Sequence, residues 1–91
     1  MCAWLSLGEQ RAAVHDWSGA VESARAGLQE LGKLFGFAAR LREGDDSTLY
    51  IGAAEDEFKV GHIRAAAKGM LEMLQWRTRL YVRYYADEIA E

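Results

Sequence analysis

Apolar residues recur at helical spacing through most of this 91-residue chain. The clearest stretch begins at Trp17. Stepping 100° per residue places Trp17, Ala20, Val21, Ala24, Leu28, Leu31, Phe35 and Ala38 in one arc, and Glu22, Arg25, Gln29, Lys33, Gly36 and Arg40 in the opposite one. The two stripes stay in phase, which predicts one helix over about 17–42. Its glycines, Gly27, Gly32 and Gly36, each cost about 1 kcal/mol relative to alanine in a helix interior, and each permits close approach by a neighbour. A shorter helix is predicted over about 2–14, with Trp4, Leu7, Gly8, Arg11 and Val14 near one side. Between the two lies His15-Asp16-Trp17-Ser18, where Asp16 and Ser18 can each accept a backbone N–H at a helix start.

The third periodic stretch predicts a helix over about 54–89. Glu55, Asp56 and Glu57 would occupy its first turn, where the helix dipole favours acids. Val60, Ile63, Ala67, Met70, Leu74, Tyr81 and Tyr84 form one stripe, and Phe58, Gly69, Trp76 and Leu80 a second, narrower one. Arg64, Lys68, Glu72, Gln75, Arg79 and Arg83 form the polar back. The segment 43–52 interrupts the pattern: Gly44 can close a helix, Asp45, Asp46 and Ser47 form turns, and Thr48-Leu49-Tyr50-Ile51 favours extended backbone without a strand to pair with. It reads as a loop packed on the helices. The expected fold is therefore all-α and a single domain over 1–91, with three helices and the first two forming an antiparallel hairpin on the long C-terminal one. A straight helix over 54–89 would be about 54 Å long, against a diameter of about 32 Å for a compact chain of this size. Either it bends, at Gly61 or Gly69, or the molecule is elongated and leaves an apolar arc exposed. The second outcome predicts a homo-oligomer, most simply a two-fold dimer.

Trp4, Leu7 and Gly8 on the first helix, the Asp16-Trp17 turn, and Ala20 on the second also carry a family pattern. Residues 4–34 resemble a single tetratricopeptide repeat, in which a bulky residue precedes Leu-Gly, an aspartate-aromatic turn follows, and a small alanine marks the crossing of two helices. The resemblance implies a protein-interaction module with a groove and no catalysis. Arg11 stands where that family prefers an aromatic, Ala24 where it has a larger residue, Gly27 where it has alanine, and Gly32 where proline often closes the repeat. Residues 35–68 do not repeat the pattern.

Composition narrows the function classes. The net charge is −3 and the isoelectric point about 5.4, so no global field draws the chain to nucleic acid or to an anionic membrane surface. The single cysteine, Cys2, excludes an internal disulfide and a cysteine metal cluster. No apolar run approaches the ~20 residues that span a bilayer, and the N-terminus has neither a basic start nor a long apolar core. A cytoplasmic protein is the default expectation. Proline is absent, which suits long helices.

Arg77 stands out chemically. It falls within the broad apolar arc of the third helix, among Met70, Met73, Leu74, Tyr81 and Tyr84. A buried arginine needs an acidic or carbonyl partner. It could pair with another helix, within the chain or across a dimer, or anchor a ligand carboxylate or phosphate; the first reading is favoured because arginine so often serves interfaces. The candidate interaction surface is accordingly Arg77, Trp76, Tyr81, Tyr84, Met70 and Leu74. An alternative is a small-ligand or nucleic-acid regulator using 76–85, where Arg77, Arg79 and Arg83 interleave with aromatics. Against nucleic acid stand the acidic total and the i,i+4 spacing of Arg83 and Asp87. A helical hydrolase built on His62 and the acids Glu55–Glu57 ranks last: Glu55 is seven residues from His62, poor spacing for a shared metal. The residues imply no cofactor, metal site or catalytic constellation.

Overall fold

A computed structural model describes residues 3–35 and 47–90, with the side chains of 34, 35, 47–49 and 84–90 outside the description. Described residues form helices and turns only: α1 (Ala3–Ala13), α2 (Trp17–Phe35), α3 (Ser47–Lys59) and α4 (Ile63–Ala90). The described residues are all-α, as expected, but they form four helices where three were expected over the whole chain. Two expectations are corrected. The segment read as a loop begins a helix at Ser47, and the long helix is divided by a turn at Val60–His62. The expected extension of α2 to 42, and its closure by Gly44, lie outside the described residues.

Both corrections have local causes. Ile51, Ala54 and Phe58 fall at i, i+3 and i+7, so a helix turns all three inward; Ile51 packs on the cluster Leu28, Leu31 and Leu74, and Ala54 and Phe58 on the main core. That burial outweighs the weak extended preference of 48–51. Gly61 then ends α3 with φ at 87°, a left-handed conformation that glycine adopts without strain. The N–H of Gly61 donates to the Phe58 carbonyl and that of His62 to the Glu57 carbonyl, which closes the last turn of α3. Glu55–Glu57 are therefore in the last two turns of a helix, not the first turn of one. There Glu55 pairs with the Arg25 guanidinium, and Glu57 lies 2.6 Å from His62 Nδ1.

The first hairpin closes in the same way. His15, at φ 62°, donates to the Ala12 carbonyl, Asp16 N–H to the Arg11 carbonyl, and Ala20 N–H to the Asp16 carbonyl. Gly61, His62 and Ala66 make the same three bonds to Phe58, Glu57 and His62. The correspondence continues into the packing. A side-chain carbon built on Gly8 would lie 3.5 Å from Ser23 Cβ, and one on Gly69 lies 3.3 Å from Ala54 Cβ. The chain thus folds as two successive helical hairpins of like geometry, α1–α2 and α3–α4. Asp16 caps α2 as expected, its Oδ1 accepting from Gly19 N–H at 3.1 Å.

The hairpins join through α2 and α4. The Arg64 guanidinium lies 5.5 Å from the Trp17 ring centre, and Leu74 lies against Gly27, so the two helices run parallel. Small residues let them approach: Ala20, Ala24, Ala66 and Ala67 are fully buried with Met70 and Leu74. Gly69, an expected bend point, leaves α4 unbroken and instead admits α3. The two apolar stripes read on the C-terminal helix thereby separate by neighbour: Ala67, Met70 and Leu74 face α2, while Gly69 and Trp76 face α3. At 1.5 Å per residue α4 is about 42 Å long, and α3 only about 20 Å. The longest dimension of the chain, 45 Å, is essentially that of α4.

Candidate functional site

Between α3 and α4 lies an open groove of about 710 Å³. Its floor is Ala54 of α3 against Gly69 of α4, flanked by the exposed small residues Ala53 and Ala65; Ala65 and Gly69 lie one turn apart on α4. Tyr50, Met73 and Trp76 form apolar walls; Tyr50 is 59% exposed. Glu57, Glu72 and Arg79 stand at the rim, all exposed.

The matching place on the first hairpin is filled. There Arg11 reaches across α2 to donate to Ser23 Oγ at 2.9 Å and to the Gly19 carbonyl at 3.1 Å. Trp4 lies over Gly27 and donates its indole N–H to Glu30. On the second hairpin Tyr50 stands in the place of Trp4 and Glu57 in that of Arg11. Glu57 turns to His62 instead of crossing the helices, so the floor stays open. The groove exists because the second hairpin has nothing to fill it.

The expected interaction residues divide. Met70 and Leu74 are completely buried against α2, so they hold the core and present no surface, a correction to their place in the candidate list. Tyr81 is half-buried against the Leu28, Leu31 and Leu74 cluster. Arg77 is half-buried and engages a neighbouring group. The Tyr84 and Asp87 side chains lie outside the described residues. Only Trp76 faces the groove. Arg79 also lines the groove and belongs to the alternative reading of 76–85, whereas Tyr50, Glu72, Met73 and Gln75 are not among the candidates. The register of α4 carries three of these, because Glu72 and Arg79 flank Trp76 at four- and three-residue steps with Met73 and Gln75 between them. The opposing wall is not legible from the sequence, because 43–52 reads as a loop and 54–59 as the start of the long helix itself, with no reversal between them.

The acids near His62 have structural roles. Glu57 and His62 are the residues joined by the backbone closure of α3, and their side chains meet for that reason. Glu55 forms a forked pair with Arg25, Nε to Oε1 at 2.7 Å and Nη2 to Oε2 at 2.5 Å, and the Arg25 guanidinium also covers the Phe58 ring at 4.6 Å. The hydrogen bond from Arg25 holds the Glu55 carboxyl below its ordinary pKa, against the opposing effect of partial burial, with the charges of Arg25 and Lys59 assisting. A depressed native value means that this pair stabilises the fold above the unfolded carboxylate value of about 4.3 and ceases to do so as pH falls through the native value. Glu55→Gln should therefore lower stability at pH 7 by up to about 1 kcal/mol, and urea titrations at successively lower pH should show the difference shrinking as the carboxyl protonates. A difference that persists in acid would assign the effect to packing.

Among the described residues no group of three His, Cys, Asp or Glu side chains could hold a metal ion, and no helix is long and apolar enough to cross a membrane. Comparison with protein-family models, with curated proteins and with solved structures finds no match.

Proposed function

We propose that this chain is a small non-catalytic protein-interaction and assembly module that self-associates through its C-terminal helix. The observation that carries the reading is the groove of about 710 Å³ along α4, with an apolar floor and aromatic walls. Grooves between antiparallel helices receive helical segments, whose side chains enter at three- and four-residue steps. The length of α4 supports the same reading, since α3 covers less than half of it. The two-hairpin architecture and the tetratricopeptide-like spacing of residues 4–34 fit a module that works by contact.

A subunit stabilised by its own partner melts at a temperature that rises with concentration, because binding favours the folded form. Calorimetry across a hundredfold concentration range should show that rise. A melting temperature independent of concentration, with a fully reversible transition, would contradict self-association. The groove volume also suits a small molecule, which supports a ligand-binding module as the second reading. Glu57 and Glu72, on the same rim as Arg79, oppose an anionic ligand there.

A further inference from the structure

We infer that the α3–α4 groove binds a small organic cation, an alkylguanidinium or alkylammonium, with its charged head at Glu57 and Glu72 and its apolar stem along Tyr50, Met73 and Trp76. This rests on the second reading above, the groove as a ligand site, and is independent of self-association. The first hairpin shows what such a place holds. A shift of 46 residues carries it onto the second: His15, Asp16 and Ala20 onto Gly61, His62 and Ala66, and Gly8 and Ser23 onto Ala54 and Gly69. The same shift carries Arg11 onto Glu57, Gly19 onto Ala65, Trp4 onto Tyr50, Gly27 onto Met73 and Glu30 onto Trp76. In the first hairpin the place is filled by a guanidinium. Arg11 lies half-buried across α2, held by the Gly19 carbonyl and Ser23 Oγ, and Trp4 closes over Gly27 onto Glu30.

In the second hairpin a carboxylate stands at the position of that cation, and an aromatic ring at the position of Glu30. Met73 occupies the position where Gly27 admits Trp4, so it keeps Tyr50 off α4; Tyr50 is 59% exposed where Trp4 is 37%. The groove is thereby left open, with acids at one end and apolar walls at the other. The charged residues that line it are Glu57, Glu72 and Arg79. Arg79 lies about 21 Å along α4 from Ala65, so the two acids hold the end nearer the turn and Arg79 the far end. Lys68 is exposed outside the lining, and Arg64 lies over Trp17. His62 Nδ1 engages Glu57 Oε2, and a carboxylate with several acceptor sites can serve a second donor. A cation entering from solvent therefore meets two carboxylates, while its stem lies on Met73 and the two rings. An anion is repelled at that end, and a neutral molecule gains from the walls alone.

Butylguanidinium and its neutral isostere butylurea test this on the intact nitrogen-15-labelled chain, read by the amide resonances of Ala53, Ala65 and Gly69. At low ionic strength butylguanidinium should bind about fivefold tighter than butylurea, as two exposed ion pairs allow, and added salt should narrow the gap. In Glu57→Gln/Glu72→Gln the two probes should bind alike, because both changes are exposed and leave the walls in place. Trp76→Ala should weaken both probes several-fold, with circular dichroism confirming helix content. If butylurea binds the unmodified chain as tightly as butylguanidinium, or the preference survives the double variant, the cation is the wrong ligand class while the ligand site stands. If neither probe moves those resonances even at tens of millimolar, the ligand-binding reading falls with it.

Discussion

Leu74→Ala is expected to remove about 3 kcal/mol of stability, the middle of the range for a large-to-small change in a closed core. Leu74 is fully buried and clusters with Leu28 and Leu31 of α2, and Leu5 of α1, Ile51 of α3 and Tyr81 pack against that cluster. The cavity that the substitution leaves thus opens in a cluster to which every described helix contributes. A chain of this size has a total stability of about 5–13 kcal/mol, so the loss is a quarter or more of the whole. With a denaturant slope near 1 kcal/mol per molar urea, the midpoint should fall by more than about 2 M. A fall of less than about 0.5 M would mean that the seam between α2 and α4 does not close around Leu74.

The glycines of α2 should give effects of opposite sign. A side-chain carbon on Gly27 would lie 2.7 Å from Leu74 Cδ2 and 2.9 Å from Trp4 Cβ. The leucine methyl can rotate aside, but the tryptophan Cβ is fixed to the backbone of α1. Gly27→Val should therefore push α1 and α4 away from α2 and cost about 2 kcal/mol, the overpacking penalty exceeding any gain in helix propensity. Gly32 has nothing within 4 Å of the same position. Gly32→Ala should instead stabilise by up to about 1 kcal/mol, since only the propensity gain remains. Thermal melts of the two variants beside the parent check both signs. A stabilising Gly27→Val would refute the close crossing of α1, α2 and α4.

These contrasts show what the sequence could convey. Periodicity found α2 and its inward arc, because Ala20, Val21, Ala24, Leu28 and Leu31 repeat a helical step without interruption, and all five are buried. It also found two stripes on the C-terminal helix. It missed Ser23 and Gly27, buried on the side of α2 that faces α1, because a polar and a side-chain-free residue carry no apolar signal. It misplaced α3 for two reasons. Thr48–Ile51 favours extended backbone locally, and Glu55–Glu57 mimics a helix start, although Glu55 is engaged by Arg25 and Glu57 by His62 from outside the helix. The groove followed the same fate as α3. Trp76 was visible on one wall, but the other wall required knowing that the chain reverses at Gly61.

That reversal also changes the case for self-association. A straight helix over 54–89 would have left a long arc bare, whereas the fold at Gly61 lays α3 over part of the second stripe. Among the described residues, the groove stays open and Arg79, Val82 and Arg83 of α4 are exposed. Self-association must then be carried by that smaller surface.

Light scattering on the unmodified chain at micromolar concentration tests this most directly. The account predicts a mass twice the 10.2 kDa of one chain. A mass of 10.2 kDa that persists as the concentration is raised would contradict it.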